Sequence, residues 1–404
     1  MPSTETASPV ASSVLPVNDF PCPVCKSGGC IDAFEATGIP IHVGICGNTP
    51  EEARSLPTGD VVLSFCRECG FLHNRVFDPG KLYYRPDYEV ALHHSPTFVK
   101  FMNGVTTRLM KRFELQNKRI LEIGCGGAYF LRMLAELGDN NCVGYDPTVA
   151  TEGLEKIGSG SVELVRDYFG PKYSIDADFI CCLSVFENIP QPVSFLKNLR
   201  EQIGDLSPGI YFEVFNAFQA ISSQETWSIN YEQVNWFSRQ SLSNAFEQAG
   251  FVVSESGECY EGGQYAFVDA VPGEPRPQNT GHSTMEIPHE VVEFASHHQQ
   301  QMELWTQRLQ EYQASGRRVV VWGAGGKGIS FLNQLPTSDA IPYVVDINPD
   351  KRGTFIPGSA QEIVSPKFLA EFKPETIILM NALYQDEIRQ QVEDLGLDCD
   401  FLIA

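Results

Sequence analysis

Apolar runs in this 404-residue chain, such as Val319–Trp322 and Ile377–Met380, fall far short of the ~20 residues a membrane helix needs. No membrane span is expected. Basic charge is scarce: 29 Lys and Arg face 51 Asp and Glu, a formal net charge of −22. So acidic a surface repels phosphate backbones and anionic lipid, which argues against a nucleic-acid partner. The first twenty residues lack a basic n-region and a continuous apolar h-region, so no secretory signal is supported. Residues 1–20 read as a disordered tail. Without an export signal the twelve cysteines argue against a disulfide framework and for a reducing cytoplasm.

The thiols therefore need another account. Cys22–Pro–Val–Cys25 and Cys66–Arg–Glu–Cys69 are two C-x2-C turns, and two such turns can each present two thiolates to one tetrahedral Zn²⁺. With all four positions filled by protein, the zinc is structural. Cys30 and Cys46 lie between the pairs and could compete as ligands. The other six sit in apolar contexts and read as ordinary buried residues.

A chain of this length exceeds what one core usually serves. Residues 21–96, rich in Gly, Pro and Cys, read as a zinc-binding module held by metal instead of a large core. From 97 to 272 helix and strand patterns alternate. Helices are predicted at Phe98–Phe113, Phe130–Leu137, Pro192–Gln202 and Arg239–Ala249, and strands at Arg119–Ile123, Cys142–Tyr145, Val162–Val165, Phe179–Leu183 and Ile210–Val214. Repeated βα units imply an α/β, doubly wound and mostly parallel sheet, with ligands at the carboxyl ends of its strands. Residues 273–316 read as a linker followed by a long helix, Pro288–Ala314, with one buried face. Residues 317–404 open with the strand Arg318–Trp322 and the turn Gly323–Gly328 and form a second nucleotide-fold domain.

Leu121–Glu–Ile–Gly–Cys–Gly–Gly–Ala–Tyr–Phe130 follows a strand and opens a helix. Gly124 and Gly126 allow close backbone approach to a ligand, and Glu122 at the strand end can face a cationic amino group. Asp146 ends the next strand, 22 residues beyond Gly124, where a carboxylate can accept bonds from both ribose hydroxyls. Asp167 and Tyr168 follow the third strand and offer an acid for an adenine amino group and a ring for stacking. A glycine turn alone is shared with NAD sites. The acidic residue before the first glycine favours S-adenosylmethionine, because NAD turns begin Gly-x-Gly-x-x-Gly without it.

Taken with the C-x2-C pairs, EIGCGG, the strand-end Tyr145–Asp–Pro147, the late stretch VVVWGAGGKGISFLNQL, VVDINPDKRG and IPG, the chain resembles the sugar C-methyltransferases of deoxysugar biosynthesis. The resemblance runs from Pro21 onward. It implies an N-terminal zinc-binding module, a class I Rossmann-like methyltransferase domain using S-adenosylmethionine, and a C-terminal Rossmann-like domain. It also implies methylation of a carbon beside the keto group of a nucleotide-linked sugar, with a base removing the α-proton. The family's signature there is approximately Tyr-x-Glu-His, then an aromatic and Phe-Ser. This chain has Asn230–Tyr–Glu–Gln–Val–Asn–Trp–Phe–Ser238: Glu232 matches, Gln233 replaces the histidine and Asn230 the tyrosine. In Leu183–Ser–Val–Phe–Glu–Asn–Ile189, Ser184 and Asn188 replace two further histidines of a pattern close to Arg-His-Val-Leu-Glu-His-Ile. An amide takes no proton near neutral pH, so Tyr88, Tyr231 or Glu232 would have to supply the base, with Gln233 orienting the substrate. His93, Ser184, Asn188 and Asn230 are candidates for lining the substrate pocket, and Lys327 for holding a diphosphate against the turn Gly323–Gly328.

The expected activity is methyl transfer to carbon of a small carbonyl-bearing, nucleotide-linked sugar in natural-product or polysaccharide biosynthesis, by a cytoplasmic monomer or homodimer. Methylation of oxygen or nitrogen needs less basic help and is the alternative. A non-catalytic assembly protein that keeps the cofactor is the third reading.

Overall fold

The computed structural model describes residues 17–275, 287–335 and 340–404. Most of residues 1–20 and of the linker before the long helix lie outside the described residues. Three sheets organise the described residues. The central one has eight strands in the order Phe251–Cys259, Tyr265–Pro272, Gly209–Phe215, Phe179–Leu183, Arg119–Ile123, Asn141–Tyr145, Gly160–Val165 and Gly153–Ile157. The five from Gly209–Phe215 to Gly160–Val165 are parallel, and antiparallel strands close both edges. Continuous apolar runs such as Phe179–Ile–Cys–Cys–Leu183 suit parallel strands covered on both faces. The helix Pro96–Arg112 starts where it should: Ser95 caps it by accepting the Phe98 amide, and Pro96 occupies the first turn.

Strand Arg119–Ile123 has neighbours on both sides, Asn141–Tyr145 and Phe179–Leu183. The direction of winding reverses there, so a crevice opens at its carboxyl end. The C-terminal domain repeats the plan with five parallel strands, Glu362–Val364, Tyr343–Val345, Val319–Trp322, Thr376–Leu379 and Asp400–Ile403.

The N-terminal module differs from the expectation that metal replaces a core. Val17–Asn18, Cys30–Pro40, Thr58–Phe65, Leu72–Asn74 and the later Asn235–Trp236 form a five-stranded sheet. Ala33, Phe34, Ile39, Val61, Leu63 and Phe65 pack beneath it. Its last strand and part of its core come from residues beyond 215, which the local pattern of 21–96 does not contain.

The helix His289–Ser315 is the strap that unites the ends of the chain. Its first turns bury Val291 and Phe294 in the N-terminal core, with Phe294 edge-on to Phe34 at 5.4 Å. Its later turns bury Trp305 and Leu309 in the C-terminal core, where Trp305 meets Phe331 at 5.2 Å. No helix among the described residues is long and apolar enough to cross a membrane.

Candidate active site

The turn after strand Arg119–Ile123 is shaped by sterics. Gly124 adopts φ +76, and a Cβ there would stand 2.5 Å from Val185, so only glycine fits. Asp146 closes the turn: one carboxylate oxygen accepts the Gly126 amide at 2.9 Å, and the other accepts the Thr148 amide and hydroxyl at 2.7 and 2.6 Å. Glu122 is buried with one oxygen lacking any hydrogen-bond partner. Burial, and then the nearby Asp146 charge, push its carboxyl up to about 8. A buried acid of this kind is incomplete without a donor or cation. Asp167 ends its own loop by accepting the Tyr173 hydroxyl at 2.6 Å and the Lys172 ammonium, which together hold its carboxyl below the usual range. Beside it, Tyr168 leaves 56% of its surface exposed, open for stacking.

Glu232 lies at the centre of a second cluster. Its buried carboxylate accepts the Val43 amide at 2.5 Å and the Tyr88 hydroxyl at 3.0 Å, and His42 Nδ1 stands 3.6 Å away. The Tyr84 hydroxyl has no hydrogen-bond partner. Burial first, and the Glu232 carboxylate next, raise Tyr84 and Tyr88 well above the ordinary phenol value; Asp146 adds to both shifts. The cluster is thus within electrostatic reach of the strand end that carries Asp146. Gln233 is also buried, and its side-chain nitrogen has no partner.

The remaining sequence candidates fall in varied places. Tyr231 points into the N-terminal core: its ring stacks on Phe77 and its hydroxyl accepts the Asp78 amide at 2.9 Å. Ser184 is exposed at the carboxyl end of its strand in a left-handed conformation, φ +53, a position a non-glycine residue holds only under constraint. Asn188 is half-buried at the end of the following turn. His93 stacks at 4.8 Å on Tyr129, the first residue of the helix after the Gly124 turn. Asn230 packs against Gly326 in the second glycine turn, and Lys327 is ion-paired with Glu225.

Sequence reasoning passed over His42, Tyr84 and Glu187. His42 lies in the apolar run Ile39–Ile45, where a lone histidine reads as core. Glu187 stands in the motif that draws attention to Ser184 and Asn188, yet it is the deeply buried member. Burial raises it to about 7, and one of its oxygens has no partner.

The four expected metal ligands converge. The sulfurs of Cys22, Cys25, Cys66 and Cys69 all lie within 4.8 Å of one another, with Cys22–Cys69 at 3.6 Å and Cys25–Cys66 at 3.5 Å. Zinc bonded to sulfur at about 2.3 Å in a tetrahedron sets its ligands about 3.8 Å apart, so the donor set fits. The Cys22 hydrogen bond leads the effects that bring the Cys25 thiol down to about 6. Cys30 is buried beside Cys66 but outside the foursome, and Cys46 packs into the C-terminal core. The knot also rests on the methyltransferase core, which it shares with Phe71, Phe186 and Phe237.

Residues 96–256 match a methyltransferase domain and residues 280–400 match a C-methyltransferase C-terminal domain. Over 396 residues, 93% of this chain and 92% of the relative, it is 23% identical to the C-methyltransferase NovU of Streptomyces niveus. A stretch of 114 residues is 34% identical to tRNA U34 carboxymethyltransferase of Campylobacter hominis; that match spans 26% of this chain and only 38% of the relative's length. Among solved structures, magnesium protoporphyrin IX methyltransferase from Synechocystis PCC 6803 with bound SAM covers 44% of this chain and is covered to 80%, at 13% identity and TM-score 0.34. Along this chain a methyltransferase domain is followed by a region that matches the C-terminal domain of C-methyltransferases, the arrangement of a methyltransferase enzyme.

Proposed function

We propose that this enzyme methylates a carbon beside the carbonyl of a small nucleotide-linked sugar, in natural-product or polysaccharide biosynthesis. The observation that carries this reading is the buried Glu232 carboxylate, held by Val43 and Tyr88 within electrostatic reach of the Asp146 strand end. Carbon next to a carbonyl must lose a proton before it can attack, so the site needs a base. An oxygen or nitrogen acceptor already carries a lone pair and would leave this cluster without a task.

S-adenosylmethionine supplies an electrophilic methyl group when bound. Around it, Glu122 would meet the amino group, Asp146 the ribose hydroxyls, and Asp167 with Tyr168 the adenine. Glu232 would accept the α-proton, the Tyr88 hydroxyl would steady the carboxylate, and Gln233 would orient the substrate through its amide. Ser184, Asn188, His93 and Asn230 would line the approach. Tyr231 serves the fold by its bond to Asp78. The four cysteines would hold one structural Zn²⁺, which contributes rigidity to the wall that carries Phe186 and no chemistry to the reaction.

Incubation with S-adenosylmethionine and a 4-keto-6-deoxysugar nucleotide tests the proposal, with S-adenosylhomocysteine release and carbon NMR of the product as readouts. A new methyl on carbon is expected. A methyl on oxygen or nitrogen would replace this reading with the alternative.

A further inference from the structure

We propose that His42, contributed by the N-terminal module, is a positioning residue for Glu232. The inference rests on the reading of Glu232 as proton acceptor. His42 is buried, just past the strand Cys30–Pro40. Its Nε2 accepts the Tyr83 amide at 3.3 Å, and an imidazole nitrogen that accepts carries no proton, which places the proton of the neutral ring on Nδ1. That Nδ1 has no hydrogen-bond partner, and the polar atom it addresses is Glu232 Oε2 at 3.6 Å. A movement of a few tenths of an ångström completes the bond, and such bonds commonly tighten when substrate binds. The next residue, Val43, already donates its amide to the other oxygen of the same carboxylate at 2.5 Å.

Consecutive residues 42 and 43 therefore address both oxygens of Glu232, with Tyr88 as third donor. Tyr83, Tyr84 and Tyr88 surround the imidazole ring at 5.1 to 6.1 Å. The titratable groups facing it are these three phenols and Glu232. Val43 and Tyr88 already hold the carboxylate, and the His42 contact adds a third direction, which leaves a lone pair for the incoming proton. In the step itself the α-carbon–hydrogen bond breaks, the proton passes to Glu232, and the electron pair stays on the substrate as an enolate. That pair then forms the carbon–methyl bond while the sulfur–methyl bond breaks and its electrons remain on sulfur. His42 touches no reacting atom.

Nitrogen-15 NMR of the histidine rings gives a readout that needs no substrate. Wild-type protein should show His42 in the Nδ1-protonated tautomer, and Glu232→Gln should shift the Nδ1 resonance. In turnover, His42→Leu should reduce kcat about tenfold at unchanged KM, the scale of one hydrogen bond to a charged group. His42→Asn, whose amide nitrogen reaches the Nδ1 position, should restore kcat, whereas a merely structural histidine would not be rescued in this way. An Nδ1-deprotonated ring, an Nδ1 resonance indifferent to Glu232→Gln, or an Asn variant as impaired as the Leu variant would overturn the inference. An Nδ1 resonance that responds to Glu232→Gln, in a wild-type protein that methylates no carbon, would instead overturn the proposed reaction and leave the His42–Glu232 pairing standing.

Discussion

The two glycine turns of this chain share one construction and differ in what fills them. In the first, the Asp146 carboxylate accepts the Gly126 amide at 2.9 Å and the Thr148 amide at 2.7 Å. In the second, Asp346 accepts the Ala324 amide at 2.9 Å and the Asn348 amide at 2.8 Å; it lies 22 residues beyond the turn residue it holds, against 20 in the first. Gly328 is required as Gly124 is, because a Cβ there would stand 2.0 Å from the Gly323 carbonyl. Beyond that the two part. The first turn has the unpartnered acid Glu122 beneath it. The second is occupied by the protein itself: buried Lys351 donates to the Ala324 carbonyl at 3.0 Å, Asn230 lies on Gly326, and Lys327 is tied to Glu225. The same backbone device thus stands over an unpartnered buried acid in one domain and against packed side chains in the other, a difference set by the residues around the turn.

Between the turns runs the segment Asn230–Gln233, one end on Gly326 and the other at Glu232. Glu232→Gln should show the largest effect, a fall of about 10² to 10⁴ in turnover with cofactor affinity unchanged, because an amide keeps the shape but cannot take the proton. Steady-state rates beside calorimetric binding of S-adenosylhomocysteine measure both. A loss below tenfold would move the base elsewhere. Next in size is metal removal. One zinc per chain is expected by elemental analysis, and Cys66→Ser or a strong chelator should loosen the wall around Phe186 and Phe71 while the C-terminal fold, which shares no core with the cysteines, stays intact. Hydrogen exchange resolved by region reads this, and uniform protection after complete metal loss would refute it.

The paired aspartates test the comparison directly. Asp146→Ala should weaken cofactor binding by ~1.5 to 3 kcal/mol, the cost of losing charged hydrogen bonds, whereas Asp346→Ala should leave cofactor affinity unchanged and lower the melting temperature. Equal losses in both would mean that the second turn also receives the cofactor. A related contrast lies in pH. Burial pushes the Glu122 carboxyl up to about 8, and a cationic amino group beside it would favour the ionised form, so binding would release a proton. Affinity should therefore rise with pH up to about 8, by at most about tenfold per unit, and Glu122→Gln should remove Glu122's part of that slope. A wild-type slope unchanged in the variant would assign the titration to another group.

Much of this construction is legible in the chain because it is written in local pattern. Phe179–Leu183 is a continuous apolar run, Arg119–Ile123 is apolar apart from Arg119 and Glu122, and both strands fall where the sequence pattern places them. The edge strand Gly153–Ile157 is exposed along nearly its whole length, so it carries no hydrophobic signature. Phe251–Cys259 is mostly half-exposed and bulged at Val253–Glu255. The cysteine foursome is visible from spacing alone, but the sheet around it is not, since Asn235–Trp236 joins it from more than 150 residues away. The candidate site divides in the same way. Glu122, Asp146 and Glu232 stand in motifs, whereas His42 reaches Glu232 across 190 residues, a pairing only the tertiary fold creates. Lys327 illustrates the converse, a residue whose motif context is clear and whose partner is not.

That lysine gives the smallest expected effect and the sharpest test of the second turn. A glycine turn followed by lysine invites a diphosphate, because backbone amides and an ammonium together suit an anion. Here the ammonium already has a counter-ion, Glu225, and both side chains are about a quarter exposed. An ion pair so placed contributes about 0 to 1 kcal/mol. If the turn is a joint, Lys327→Ala and Glu225→Ala should each lower stability by no more than that, and the double variant should lose little beyond either single one, since each substitution already breaks the shared contact. Nucleotide diphosphate affinity, followed by calorimetry with a sugar-free nucleoside diphosphate, should then be the same in all four proteins. If the lysine instead exchanges Glu225 for the ligand, the two single variants should diverge. Lys327→Ala would weaken binding roughly tenfold or more, and Glu225→Ala, by releasing the ammonium, would strengthen it. Opposite signs from the two halves of one ion pair are an outcome a packed joint cannot produce.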